Sequence, residues 1–159
     1  HRNIKKAELA GITVKQIDDA KIFTDFAKSN LQIQFPEFNK HSMSMLNNLI
    51  KTAQYVNTCE MLGAYKNGVL EAAGLFFNSN NVCYFTICAS TVVGKDNQAM
   101  YLIVSDMLKK KATVLKYFDF VGSNMPGIAY FNSTFGSEKY CYFSVYQNRL
   151  PSILRFFKK

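Results

Sequence analysis

Chemically useful side chains cluster in the stretch Phe118–Gly136. Asp119 lies between two phenylalanines, in an apolar run that predicts a buried strand. Ser123 and Asn124 follow at a turn, and Pro126 opens a short helix. Because strand-to-helix turns present backbone N–H groups and a helix N-terminus to a ligand, this stretch predicts a binding site.

Each of these polar residues has a structural alternative. Asp119 could orient an amine, or its carboxylate could accept N–H bonds from the turn at residues 122–124, since an unpaired buried carboxylate is costly. Ser123 and Asn124 could cap the helix or receive an anionic ligand at the same turn. Gly127 relieves crowding in the turn, and we count it with Ser123 and Asn124 as a predicted binding residue.

A second group of candidates lies in the loop predicted between a strand and a long helix. Ser90, Gly94 and Lys95 flank the expected cleft there and are predicted to contact a substrate or cofactor, with an ordinary surface loop as the alternative. Glu60 and Glu71 lie on preceding strands and could act as a base through water. An outward-facing edge position explains Glu71 equally well.

Helices are predicted from apolar residues at helical spacing. Residues 2–11 read as the end of a helix that Gly11 stops. Asp18 or Asp19 can cap the next helix, Ser42 the third, and Asp96 a long helix that ends near residue 111. The side chains predicted to face the core are Ile22, Phe23, Phe26, Met45, Leu46, Leu49, Ile50, Ala53, Leu102, Ile103, Met107 and Leu108.

Strands are predicted at residues 12–14, 59–65, 69–77, 82–89, 117–121 and 140–146, and Asn67 with Gly68 predicts a tight hairpin. Residues 150–159 are amphipathic and could form a strand or a helical turn. The order predicts an antiparallel meander that a parallel strand joins after the long helix, in a mixed sheet with helices on both faces. Ligands in such sheets bind where strands splay at their C-terminal ends, which here are the ends of strands 82–89 and 117–121.

Composition bounds the function. The chain has 159 residues, of which 48% are hydrophobic and 19% charged, as in a folded domain with its own core. The net charge of +8 would suit nucleic acid, an anionic membrane or a phosphorylated substrate, but lysines scattered over a solvated surface explain it too. The four cysteines form no Cys-x-x-Cys pair, so we expect small buried side chains in a reducing, cytoplasmic setting and no metal site. The apolar runs are too short to span a bilayer.

The element order resembles the GNAT fold of N-acetyltransferases, an α/β (α+β) fold with a mixed, mostly antiparallel central sheet. The segment Arg2–Gly11 looks like the segment that joins the two halves of Fem-type (FemABX) aminoacyl or peptidyl transferases. Phe118–Ser123, followed by Gly127–Phe131 and Phe135-Gly136, is similar to the late strand–turn–helix motif of the same group. Fem-type proteins carry two GNAT-like halves in tandem. We therefore expect residues 1–11 to end a connecting helix from a missing N-terminal half, and residues 12–159 to form a single GNAT-like domain.

The resemblance implies transfer of an acyl or aminoacyl group to an amine, with acyl-CoA or aminoacyl-tRNA as the donor. In Fem-type enzymes the acceptor is a peptidoglycan precursor. A tyrosine from the late region often serves GNAT enzymes as general acid, and Tyr130 is the candidate here. The implied partner is the missing N-terminal half or, failing that, a second copy of the chain.

Two departures from the family pattern favour an alternative, a catalytically degenerate GNAT-fold module that binds a peptide, a glycan precursor or a partner half. GNAT sites hold the pyrophosphate of acyl-CoA in a glycine-rich loop, whereas the segment Val92–Gln98 has one glycine and Asp96. Fem-type motifs often place a lysine after the phenylalanine of the late helix, where this chain has Asn132. Its amide could still donate a hydrogen bond to an oxyanion, so Asn132 joins Tyr130 and Asp119 as a predicted catalytic residue.

Overall fold

A five-stranded sheet forms the centre of the structure. The computed structural model of the chain describes residues 2–32, 35–36, 39–122, 124–145 and 147. The strands are β1 (Thr13–Gln16), β2 (Cys59–Lys66), β3 (Val69–Ser79), β4 (Val82–Ser90) and β5 (Tyr117–Asp119), and they lie side by side in chain order. Neighbours from β1 to β4 are antiparallel and β5 is parallel to β4, which confirms the predicted mixed sheet.

The described residues also form six helices: α1 (Arg2–Leu9), α2 (Ala20–Leu31), α3 (Lys40–Tyr55), α4 (Val92–Asp96), α5 (Ala99–Lys111) and α6 (Pro126–Ser133). The predicted stop after the first helix is confirmed. Gly11 has φ +76°, and the N–H of Ile12 donates to the carbonyl of Ala7 at 3.1 Å. This is the glycine-dependent ending that lets a helix satisfy its last carbonyl groups.

Helices pack on both faces of the sheet, as predicted. One core joins α2 and α3 to one face of β2, β3 and β4 through buried side chains that include Phe23, Ile50 and Leu75. Because side chains alternate along a strand, Gly74 lies on the other face. There Ile103 of α5 approaches to 3.2 Å of the position that a β-carbon on Gly74 would take. α1 packs in turn against α5.

Both turns of the meander use residues with positive φ. Asn67 and Gly68 have φ of 51° and 82°, which confirms the predicted Asn-Gly hairpin. Asn80 and Asn81, with φ of 50° and 64°, make the turn between β3 and β4 in the same region of backbone space. Asparagine tolerates this conformation better than other residues with a side chain, so two short turns hold three strands in register.

Two apolar stripes run along α3, and only one of them is buried. Ile50 and Ala53 are buried as predicted. The prediction that Met45 and Leu49 face the core is wrong, because these side chains are 61% and 55% exposed. Each residue turns a helix by about 100°, so a face centred on Ile50 leaves Leu49 at its margin. On α2, Ile22 is likewise exposed rather than buried.

The helix caps follow the predicted chemistry but not always the predicted residue. Asp19 caps α2, and its carboxylate accepts the N–H of Lys21 at 2.8 Å. Asn39, not Ser42, caps α3. The side-chain oxygen of Asn39 accepts the N–H groups of His41 and Ser42 at 2.9 and 3.1 Å, so the helix begins earlier than predicted.

The segment between β4 and the long helix is not the predicted loop. β4 extends to Ser90, and Thr91 caps the short helix α4. Asp96 ends α4 instead of starting the long helix, which begins at Ala99. Gln98, with φ +60°, separates the two helices because a left-handed residue cannot continue a right-handed helix.

β5 is shorter and more exposed than predicted. It ends at Asp119, and both Tyr117 and Asp119 are exposed, so the prediction of a buried strand to Val121 is wrong. The Asp119 carboxylate accepts the N–H of Val121 at 2.7 Å. Val121 has φ +63°, outside the range of a strand, so this turn ends β5.

The strand predicted at residues 140–146 is also wrong over residues 140–145, which form neither helix nor strand. Tyr140, Tyr142 and Phe143 are exposed there. A strand needs a partner for its backbone groups, and among the described strands none pairs with this segment. Tyr146 and the tail at 150–159 lie outside the described residues.

The chain divides into two units, the first ending at Gly122 and the second starting at residue 123. The first contains the sheet and helices α1 to α5, and the second contains α6. Of the helices described, none combines the length and the apolar character needed to cross a membrane.

Candidate functional site

β5 pairs with β4 only over the first residues of β4. They pair over only three residues each, with Val82 opposite Tyr117 and Tyr84 opposite Asp119. β4 then continues to Ser90, whereas β5 stops. Beyond Tyr84, β4 has no strand partner on its β5 side among the described strands, and we call this edge of β4 the opening. That the two strands splay there stays a prediction.

A β-bulge accompanies the opening. Leu75 of β3 pairs with Ile87 and Phe76 pairs with Phe85, so Thr86 is an extra residue in β4. The Thr86 hydroxyl donates to the Leu75 carbonyl at 3.2 Å. A bulge bends its strand and increases the local twist, and this one comes just after the last residue of β4 that pairs with β5.

Four phenylalanine rings line the closed end of the opening. Phe76 and Phe85 stack with centroids 4.9 Å apart, and Phe118 and Phe120 meet edge to face at 5.0 Å. The two pairs are joined across the strands, because Phe85 lies edge-on to Phe120 at 6.3 Å. Both Phe76 and Phe85 approach to 3.1 Å of a β-carbon built on Gly74, which places this apolar wall on the α5 face of the sheet.

At the other end of the opening, a buried carboxylate fixes the start of α4. Glu71 is the extra residue of a second bulge, because Ala64 pairs with Ala72 while Tyr65 pairs with Leu70. Glu71 is only 8% exposed. The Thr91 hydroxyl donates to the Glu71 carboxylate, and the Thr91 N–H donates to the Glu71 carbonyl at 2.9 Å.

Gly94 lets α4 approach this bulge. A β-carbon on Gly94 would lie 2.1 Å from the Glu71 carbonyl oxygen, far inside van der Waals contact. The Gly94 N–H donates to the Thr91 hydroxyl at 3.0 Å. Glu71, Thr91 and Gly94 thus form one unit, which we call the α4 latch, and close packing accounts for the glycine.

The backbone N–H groups of the segment after β4 are largely engaged within the chain. Besides Gly94, the donors are Lys95 to the Thr91 carbonyl, Asn97 to the Val93 carbonyl and Gln98 to the Lys95 carbonyl, each at 3.0 Å. A diphosphate needs unengaged N–H groups or positive charge, but these four N–H groups are engaged, Asp96 follows Lys95 in α4, and the Glu71 carboxylate of β3 accepts from Thr91. The residues present do not fit the diphosphate of coenzyme A.

The predicted site residues fall into two groups. Ser90, Gly94 and Lys95 lie where β4 passes into α4, whereas Asp119, at the end of β5, pairs with Tyr84, six residues before Ser90 along β4. Asp119 accepts an N–H bond from Val121 of its own turn. No sequence signal marks Thr86, whereas Thr91 carries a recognisable one, a threonine directly before a helical turn.

The second unit holds the other candidates. Tyr130 on α6 is 71% exposed, whereas Asn132 is only 8% exposed. Asn124 and Gly127 are exposed near the start of the helix. Met125, not Asn124, occupies the N-cap position, and Ser123 lies outside the described residues. Whether these residues contact a ligand stays a prediction.

Glu60 belongs to a separate ionic cluster. It lies at the start of β2, at the end of the sheet opposite the opening, and its carboxylate forms ion pairs with Lys110 and Lys111. Asn78 also donates to it at 3.0 Å. Burial opposes ionisation of Glu60, but the two lysines outweigh burial and lower its pKa. These contacts give Glu60 a structural role.

Cys59 and Cys83 are buried, as predicted, and Cys88 is partly buried. Burial raises the pKa of Cys59, Cys83 and Cys88 to about 11. Cys141 differs because it is exposed, so the prediction of burial is wrong for this residue.

Comparisons with known proteins identify the fold. No protein-family model and no curated protein matches the sequence. Among solved structures, the chain is similar to a possible acetyltransferase of Clostridium difficile 630, with 11% identity, a TM-score of 0.61 and coverage of 88% of this chain and 98% of that one. It is similar to a predicted acetyltransferase of Clostridium acetobutylicum solved with acetyl-CoA, with 10% identity, a TM-score of 0.65 and coverage of 86% and 96%.

The structure of FemX is a further match, with 13% identity and a TM-score of 0.66. That match covers 86% of this chain but 53% of FemX. The chain therefore has the GNAT fold, and its structural resemblance includes a Fem-type protein. The chain spans about half the length of FemX. At these identities the likeness establishes the fold and leaves the reaction to be argued from the site.

Proposed function

We propose that the chain is an acyl or aminoacyl transferase domain that moves an acyl group from an activated donor to an amine. The observation that supports this proposal is that β4–β5 pairing ends at Tyr84 and Asp119, next to a bulge at Thr86, within a GNAT fold. The donor's acyl arm would enter between the strands, against the apolar wall, and the reacting carbonyl would lie near backbone groups of β4.

The proposed reaction needs few side chains. The amine attacks the acyl carbon and a C–N bond forms, while the bond from that carbon to the leaving sulfur or oxygen breaks. The leaving atom needs a proton and the nitrogen must lose one. The resemblance suggests Tyr130, in the second unit, as the residue that would give the first proton and, as tyrosinate, take the second. Asp119 is a positioning residue, since it holds the turn after β5. Ser90 and Lys95 are proposed to contact the donor, and Asn132 to donate to the oxyanion.

Substitution of Tyr130 tests this proposal. Transfer from acyl thioesters to a panel of primary amines is followed by release of the free thiol. We expect Tyr130→Phe to lower kcat by about 100-fold with little change in KM, because the hydroxyl acts only in the proton transfer. Tyr142→Phe is the matched control, because Tyr142 is also exposed and has no assigned role. Equal rates for the two variants would remove Tyr130 from the mechanism.

The burial of Asn132 favours the second candidate, a binding module without catalytic activity. The resemblance leads us to expect a lysine at position 132, which would supply positive charge to an oxyanion. The chain has the neutral amide of Asn132 instead, and this residue is only 8% exposed. This candidate predicts that no thioester or aminoacyl ester is consumed, while a peptide or glycan precursor still binds. A Fem-like role also stays a prediction. In that role aminoacyl-tRNA is the donor, a peptidoglycan precursor is the acceptor, and a second GNAT-like half is the partner. The half-length match to FemX supports it.

A further inference from the structure

We propose that the α4 latch gives the site a donor specificity, so that it takes acyl donors without contact to a nucleoside diphosphate. This inference rests on the proposed transfer function and names the class of donor. A protein of similar fold has been solved with acetyl-CoA. In this chain, however, the residues after β4 do not suit the diphosphate of that donor.

The first step concerns hydrogen-bond donors. A diphosphate beside a strand-to-helix turn is held by several N–H groups that point away from the protein. Here the N–H groups of Gly94, Lys95, Asn97 and Gln98 all donate to acceptors in the same segment. α4 has already closed into a helical turn, so these N–H groups would have to leave their present acceptors before they could bind phosphate oxygens.

The second step concerns charge. Glu71 is nine-tenths buried directly behind α4, and Asp96 is exposed at its end. Lys95 is exposed on α4, and the Lys66 ammonium group donates to Asn97 at 3.3 Å. A diphosphate placed here would meet two carboxylates and two ammonium groups, so the segment offers it no net positive charge.

The third step concerns rigidity. The latch joins β3 to α4 through a side-chain bond, a main-chain bond and the close contact at Gly94. A bulged strand re-aims its extra residue, and here the extra residue is Glu71, whose carboxylate receives the Thr91 hydroxyl. α4 is thus held in its closed form by the sheet, and donor recognition is left to the opening and its apolar wall.

Paired donors test the inference directly. The chain is titrated with acetyl-CoA and with S-acetyl-pantetheine, which has the same acyl arm and no diphosphate. We expect dissociation constants that differ by less than about tenfold, and no change in the amide signals of residues 94–98. A preference for acetyl-CoA of more than about tenfold, with those signals shifted, overturns the inference. Absence of binding by both donors counts against the proposed function and the inference together, whereas a preference for acetyl-CoA overturns the inference alone, so the two failures are distinguishable.

The latch itself is tested by hydrogen exchange. Thr91→Val removes the hydroxyl that joins Glu71 to Gly94, and Thr91→Ser keeps it. We expect the amides of residues 94–98 to exchange about tenfold faster in Thr91→Val and at the original rate in Thr91→Ser. Unchanged exchange in Thr91→Val would show that the latch does not hold α4 closed, and the specificity would then need another cause.

Discussion

The α-carbon of Gly94 packs so closely against the main chain of Glu71 that a β-carbon there would lie 2.1 Å from the Glu71 carbonyl oxygen. The obstructing atom belongs to the backbone of a central strand, not to the end of a flexible side chain. The contact therefore couples the position of α4 to the bulge in β3. It also explains the one glycine of this segment without reference to a ligand.

Substitution of Gly94 by alanine is expected to destabilise the fold. The added methyl group must displace either α4 or the Glu71 backbone, and overpacking of this kind costs about 1–3 kcal/mol. Urea unfolding measures the change in the free energy of unfolding. Gly127→Ala is the control, because no atom lies within 4 Å of its added carbon and alanine favours a helix. Equal stability of the two variants would contradict the close contact.

The ionic cluster at Glu60 predicts a specific pH dependence of stability. Its pKa in the folded chain lies below the usual 4.5, so the folded state binds fewer protons than the unfolded state in this range. The contribution of Glu60 is complete above about pH 4.5 and is lost as the pH falls through the lowered pKa. Glu60→Gln should therefore flatten the loss of unfolding free energy below that pH.

At neutral pH, Glu60→Gln should cost about 1–3 kcal/mol, since Lys111 is largely buried and loses its charged partner. Asp25→Asn is the control, because the Lys21–Asp25 pair is exposed and such pairs contribute little. Acid unfolding curves of both variants check the prediction. A curve for Glu60→Gln that parallels the original one would argue against the cluster.

The cysteines should separate into two classes towards a thiol reagent. With a pKa of about 11, Cys59, Cys83 and Cys88 are almost entirely protonated at pH 8 and react slowly. Cys141 is exposed and should account for the fast phase, which corresponds to one thiol per chain. Cys141→Ser should remove that phase, and denaturant should release the other three. A fast phase that survives in Cys141→Ser contradicts the assignment.

Asp119 should act through its turn and not through its charge. Asp119→Asn keeps an oxygen that can accept the Val121 N–H, so we expect transfer rates within about threefold of the original. Asp119→Ala removes the acceptor, and misplacement of the strand end should lower kcat/KM by about 10-fold or more. A loss in Asp119→Asn as large as in Asp119→Ala would assign the carboxylate charge a direct role.

Local chemistry made much of the fold predictable. The Asn67-Gly68 turn, the stop at Gly11 and the cap at Asp19 each depend on one or two residues whose preferences are strong, and all three are confirmed. The parallel return to β5 followed from the long helix alone. These features need no knowledge of distant contacts.

The wrong predictions concern segments whose structure depends on contacts with residues far away in the sequence. α3 carries two apolar stripes, and the sheet that selects Ile50 over Leu49 is invisible in the helix itself. α4 forms because the Glu71 bulge offers a carboxylate to Thr91 across twenty residues of sequence. For the same reason the hydrogen bonds of α4 could not be predicted from its own residues. The site at the ends of β4 and β5 stays a prediction.

Chemical-shift mapping with S-acetyl-pantetheine tests the central claim most directly. If the opening between β4 and β5 receives the acyl arm of the donor, the amide signals of residues 85–90 and 118–120 should shift saturably, in proportion to bound ligand. Shifts confined to other parts of the chain, such as α2 and α3, or no shift at millimolar ligand, would contradict the account.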